Sequence, residues 1–163
     1  WRDNRLNMIH EGTHGIQATD LLGRKVLMEE GRGLTLLAAR MTATMKRAYQ
    51  VPALAAHADA LGAALKQVAV ATQKAWATCN PSEALANAVP YMQAFGHTVL
   101  AWIWLDVAAK ALEGDADQSN PATQGRLGAL RYFFHYELPK IRAWLAVVEE
   151  RDMTCAAFPQ AAF

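Results

Sequence analysis

Leu37, Met41 and Met45 recur at four-residue intervals between Leu34 and Tyr49, the spacing that lines up one face of an α-helix. Pro52 punctuates. A second helix is predicted from about Ala53 to Ala77, with Leu54, Leu61, Leu65 and Val68 on one side and alanine-rich stretches that favour helix and permit close approach. Asn80-Pro81-Ser82-Glu83 is a start signal: asparagine can cap, proline suits the first turn, and glutamate three residues on can complete a capping box. The helix it opens is predicted to reach Leu112, with a kink at Pro90. Asn120-Pro121 opens the last long helix in the same way. That helix carries Leu127, Leu130, Phe133, Phe134, Ile141, Trp144 and Val148, and a kink at Pro139.

Ahead of these, Asn4 to Ile9 is short and mixed. From Thr13, a plausible N-cap, to about Met28 the positions Ile16, Leu21, Leu22 and Val26 suit one helix face, and Gly31 and Gly33 break the pattern. Glu113 to Ser119 reads as an acidic loop, and the tail beyond Met153 lacks helical spacing and should lie along the surface or fray. Short alternating runs rich in Val, Ile and Thr do not occur, so strand signals are nearly absent. The pattern predicts an all-α antiparallel bundle of about four long helices behind an N-terminal helical lead-in. Trp102, Trp104, Phe133 and Trp144, at helical spacing among Leu and Ala, are expected in core or interface positions, as are Met41 and Met45.

Composition narrows the function classes. A chain of 163 residues suits one domain, or one domain plus a docked piece of another. Its net charge of +1 and scattered cations give no reason to expect nucleic acid. The longest apolar run, Thr98 to Leu105, ends at Asp106, far short of the roughly 20 residues a bilayer span needs. Cys79 and Cys155 have no neighbouring Cys or His at metal-ligand spacing, which points to structural thiols in a reducing, cytoplasmic compartment. No signal peptide is visible in the given sequence, and the start in mid-phrase at Trp1 predicts a piece of a longer chain. His57, His97 and His135 lack ligand partners one helical turn away and are expected in ordinary surface or core roles. Glu137 beside Pro139 is expected to hydrogen-bond a kinked backbone.

Candidate chemistry lies in Ile9 to Gln17, IHEGTHGIQ. Read as H-E-x-x-H, His10 and His14 would ligate zinc from one helix face, with Glu11 polarising a bound water. Gly12 and Gly15 would then each cost that helix about 1 kcal/mol against alanine. Read instead as a turn between helices, Gly12 supplies a backbone conformation closed to other residues and Thr13 starts the next helix. Glu11 would then project from the turn, where an apolar ligand could desolvate it and raise its pKa toward that of a general base.

Trp1-Arg2-Asp3-Asn4-Arg5-Leu6-Asn7-Met8-Ile9-His10-Glu11-Gly12-Thr13-His14-Gly15-Ile16-Gln17 resembles the Y-R-D-x-(K/R)-I-x-x-I-Y-E-G-T-x-x-I-Q segment of acyl-CoA dehydrogenases. The continuation Ala18 to Lys25 is similar to the long bacterial branch of that family that includes 3-methylmercaptopropionyl-CoA dehydrogenase, in which a helical segment follows the catalytic part. The resemblance implies a division into residues 1–30, the end of the catalytic helical domain, and residues 31–163, a C-terminal helical extension. It implies Glu11 as the base that removes the α-proton of an acyl-CoA thioester, Gly12 as a substrate contact, and Thr13, His14 and Gly15 as contacts to FAD. His10 stands where the family has tyrosine. The upstream catalytic portion is then an obligatory partner, a homo-oligomer is expected, and the isolated chain should be inactive and retain no FAD. Two other readings stay open: a helical interaction or oligomerisation module without chemistry, and the zinc hydrolase.

Overall fold

The computed structural model describes residues 13–115, 118–159 and 161, and every regular element among them is helical. Helix α1 spans His14–Asp20 and continues into a wide π-type turn, Leu21–Lys25. A short turn at Met28–Gly31 precedes α2, Arg32–Ala48, and a 3-10 turn at Pro52–Leu54 leads into α3, Ala55–Ala75. The single turn α4, Pro81–Leu85, is followed by the long α5, Ala88–Gly114, then α6, Pro121–Tyr132, and α7, Ile141–Glu150. The short mixed segment Asn4 to Ile9 lies outside the described residues.

Both start signals work through the asparagine. Asn80 Oδ1 accepts from the Ser82 N–H at 3.1 Å and Asn120 Oδ1 from the Ala122 N–H at 2.9 Å, with proline next in each case. Glu83 does not close a capping box on the backbone; it accepts from the Asn80 side-chain amide at 3.0 Å and from Thr78 at 2.8 Å. Of the two glycines expected to break the pattern, Gly31 does so, at φ +83° after two further left-handed residues, Glu29 and Glu30. Gly33 lies inside α2.

The predicted kinks are displaced upstream of their prolines, and the reason is steric. A proline ring inside a helix clashes with the carbonyl four residues earlier. For Pro90 that carbonyl belongs to Ala86, and the chain breaks there, with Asn87 at φ −115°, ψ 34°, so that Pro90 falls in the first turn of α5. For Pro139 it belongs to His135, inside the π-type turn Phe133–Glu137, which a 3-10 turn at Leu138–Lys140 follows. The expected Glu113–Ser119 loop starts later than predicted, because Glu113 and Gly114 complete α5. Glu137 does not bond the kinked backbone. It takes Lys140 Nζ at 2.6 Å and faces His97 Nε2 at 3.6 Å, and His97 packs edge-on to Trp144.

The helices do not form a square bundle. On α3, Gly62, Leu65 and Ala69 face α2, while Ala60, Ala64 and Gln67, half a turn round the helix, line the side facing Leu138 and Ile141. Thus α3 and α5 form a central pair, α2 covers one side, and α6 and α7 pack on the other. The central position explains why α5 is apolar nearly all the way round. Alanines at Ala58, Ala64, Ala71 and Ala75 on α3, and Ala94, Ala101 and Ala108 on α5, are buried and allow the close approach the sequence suggested. Trp102, Trp104 and Trp144 pack against this core, and Phe133 is buried in it.

Two polar ties bind the layers. Thr72 donates its one hydroxyl hydrogen to the Val68 carbonyl at 2.8 Å, so the 2.7 Å contact between Thr72 and Tyr91 must be donated by the tyrosine. Between α2 and α5, Trp102 Nε1 donates to Thr44 Oγ1 at 2.8 Å, and Asp106 pairs with Arg47 and with Lys110 at 2.9 Å. Burial alone would raise the Asp106 pKa, but the two cations outweigh it and hold the carboxyl below its ordinary value.

Tyr91 is fully buried, and burial pushes its phenol up to about 12 against a smaller opposing effect of the Thr72 bond. An unfolded tyrosine ionises near pH 10. The stability that protonated Tyr91 contributes is therefore complete below about pH 10 and is lost as pH rises toward 12. Urea unfolding of Tyr91→Phe should show a loss of about 1 kcal/mol at pH 7 and a shallower decline above pH 10 than the parent chain.

Candidate functional site

The segment that carries the sequence motif is held on the bundle by one face. Ala18, Leu22 and Val26, at four-residue spacing, are buried, and α1 and its following turn pack on α5. Burying a leucine such as Leu22 stabilises by roughly 2 kcal/mol. Trp76, just past the end of α3, adds a directional tie by donating Nε1–H to the Leu22 carbonyl at 3.2 Å. At Gly23 a β-carbon would come within 3.3 Å of the Leu85 side chain, so this crossing of the lead-in over α4 requires glycine or a shift of Leu85. The predicted face is thus correct for Leu22 and Val26 and incorrect for Ile16, which is 62% exposed.

Thr13 is extended, φ −78° and ψ 165°, and occupies the N-cap position as expected, but its side chain makes no capping bond. Its carbonyl accepts from the Gln17 N–H at 3.1 Å, which starts the helix. The N–H groups of the first turn have no intrahelical partners. They belong to exposed residues, His14, Gly15 and Ile16, and among the described residues a β-carbon at Gly15 would meet nothing nearer than Thr13 Oγ1 at 3.9 Å. An open groove runs beside them along α1, lined by Thr13, Gly15, Ile16, Thr19, Arg24 and Leu85. Arg24 is paired with Asp20 at 2.6 Å, a hydrogen bond that holds the Asp20 carboxyl below its ordinary pKa.

Of the sequence-predicted residues, the fold therefore brings Thr13 and Gly15 to one groove wall, with His14 exposed beside them. Glu11 and Gly12 lie outside the described residues, as does His10, so His14 is the one described member of the zinc motif. Among the described residues no three His, Cys, Asp or Glu side chains converge on a point where a metal could bind. Cys79 and Cys155 are both exposed free thiols. First-turn N–H groups on exposed residues, together with a glycine, have the chemistry to contact the anionic or carbonyl oxygens of a ligand. Leu85 and Trp76, which shape and hold this segment, were not evident beforehand, because their contacts to Gly23 and Leu22 cross more than fifty residues of chain.

Comparison with known proteins extends the picture. Residues 37–159 match the family described as acetyl-CoA dehydrogenase C-terminal like. Over 125 residues the chain is 34% identical to 3-methylmercaptopropionyl-CoA dehydrogenase of Ruegeria pomeroyi, a match covering 75% of this chain and 21% of that protein. The chain thus spans about a fifth of the length of the curated relative it matches. No helix among the described residues is long and apolar enough to cross a membrane.

Replacing Trp76 with Phe removes the bond to Leu22 while keeping most of the ring's packing. Amide hydrogen exchange over residues 18–26 should then quicken about fivefold, the equivalent of roughly 1 kcal/mol, with exchange in the centre of α5 unchanged.

Proposed function

The chain belongs to the acetyl-CoA dehydrogenase C-terminal-like family, and from that premise we propose that it is the C-terminal part of a flavin-dependent acyl-CoA dehydrogenase. The observation that carries this reading is the family match over 37–159, which follows a lead-in resembling the catalytic segment of the same enzymes. The left-handed turn at Glu29–Gly31 supports a boundary between a catalytic remnant, 1–30, and an extension, 31–163.

In this reading Glu11 is the catalytic base. Its carboxylate takes the α-proton of an acyl-CoA thioester, and its backbone N–H helps hold the thioester carbonyl, stabilising the negative charge that develops there. Gly12 lets the chain turn close to the substrate. Thr13, His14 and Gly15 would hold FAD through the exposed first-turn N–H groups of α1, and FAD, when bound, supplies the acceptor for the β-hydride. Loss of the α-proton and β-hydride leaves an α,β double bond in the substrate. The docking of Ala18, Leu22 and Val26 holds α1 on the bundle, which supports a fixed place for its first-turn N–H groups in this reading. The two free, exposed thiols suit a reducing cytoplasmic setting.

A second role is compatible with the first. Leu100 and Ile103 on α5 are 44% and 46% exposed, on a stretch without charge, and this favours packing of the extension against the catalytic portion or another subunit.

In the longer protein with its upstream sequence, Glu11→Gln should lower turnover by roughly 10²–10⁴-fold with flavin absorbance retained. Wild-type rates in that variant would remove Glu11 from the mechanism. The 163-residue chain alone should be colourless and inactive. Leu100→Glu with Ile103→Glu should reduce the mass measured by light scattering on the longer protein, or release the extension to limited proteolysis; neither change would count against the packing role.

A further inference from the structure

The upper half of α2 does not close against α3 and α5. Further down, Met45 seats its sulfur 3.6 Å from the β-carbon position of Gly62, and the Thr44, Trp102 and Asp106 contacts clamp the helix. One to two turns earlier the facing positions are alanines, Ala38 on α2 and Ala69 on α3, and a cleft of about 220 Å³ opens between the three helices. Its floor is buried: Met41, Val68 and Thr98. Its walls are the half-buried Leu37, Leu65, Phe95 and Val99.

No charged side chain lines the cleft. The two threonines that line it spend their hydroxyl hydrogens on their own helices, Thr35 to the Gly31 carbonyl at 3.3 Å and Thr98 to the Ala94 carbonyl at 2.9 Å. Their oxygens can still accept, but among the described residues the lining offers no side-chain donor or charge to a ligand carbonyl or carboxylate, which would go unpaired if buried there. A cavity of about 150 Å³ lined in this way takes up benzene, so this cleft admits a longer hydrocarbon, roughly six to eight carbons. It opens at Thr35 and Ala69, both exposed, so a head group can remain in water. It shares no lining residue with the groove beside α1.

We propose that the cleft between α2, α3 and α5 is a binding site for the end of an unbranched aliphatic chain, recognised by its hydrocarbon and not by its head group. The site is independent of the dehydrogenase reading and requires no flavin.

The test is titration of the isotopically labelled chain with 1-hexanol, 1-octanol and octanoate, followed through the methyl signals of Met41, Val68 and Val99. Saturable one-to-one shifts are expected, with octanol tighter than hexanol by roughly tenfold, as two further buried methylenes imply. Octanoate should match octanol within about threefold, since no charge lines the wall. Ala38→Leu and Ala69→Leu, singly and together, fill the cleft from opposite walls and should weaken octanol at least tenfold while leaving helicity and melting temperature equal or higher. The singles keep the test decisive if the double variant fails to fold. Shifts that do not saturate, equal affinity for hexanol and octanol, indole binding more tightly than octanol, or full binding by the folded single variants would each overturn the proposal.

Discussion

The contact between α3 and α5 is the constraint on which the other elements depend. Alanines along both helices remove the side-chain bulk that would hold the two axes apart, and Tyr91 crosses the gap to Thr72 with its hydroxyl satisfied. A buried phenol without that partner would carry a desolvation penalty, so the pair also specifies the register in which the helices meet. Once joined, the two helices present a broad apolar surface on each side. On one side α2 packs, and on the other α6 and α7.

The remaining connections hold the ends of this assembly. Asn87, at the break before α5, donates its side-chain amide to the carbonyls of Val147 at 3.2 Å and Asp152 at 2.7 Å, tying the start of α5 to the end of α7. Arg151 reaches the Lys74 carbonyl at 3.0 Å, and Lys74 pairs with Glu149 at 2.7 Å. The exposed ion pair contributes little by itself. The side-chain bonds add a second acceptor contact to the Val147 and Lys74 carbonyls, which already take the backbone N–H groups of Asp152 and Ala77, and so tie the end of α7 to the start of α5 and the end of α3. The end at which they gather also carries Trp76, and so the Leu21–Lys25 turn after α1 is seated on it.

This arrangement separates two chemistries on one small scaffold. The start of α1 offers polar backbone beside an open groove. The cleft at α2 is apolar and enclosed on three sides by helices, suited to hydrocarbon alone. They differ because the first is made by helix termination and the second by two alanines facing each other where larger residues would close the layer.

Local chemistry made much of this legible in advance. The apolar faces of α2, α3, α6 and α7, the asparagine-proline starts at Asn80 and Asn120, the lack of strands and the family resemblance of Trp1 to Lys25 all follow from residues close together in the chain, whose effects depend on helix periodicity and capping. Two errors came from applying local rules too simply. A proline perturbs the carbonyl one turn before it, so the breaks fall at Ala86–Asn87 and Phe133–Glu137, and Gly33 does not break a helix that Gly31 has already reset. Tertiary structure alone decided that α3 and α5 lie at the centre, that Ile16 faces out while Ala18 faces in, that Trp76 binds Leu22, and that Ala38 and Ala69 leave a cleft. Those outcomes depend on which helix faces meet, and that is set by the summed packing of residues tens of positions apart, which no stretch of the chain encodes by itself.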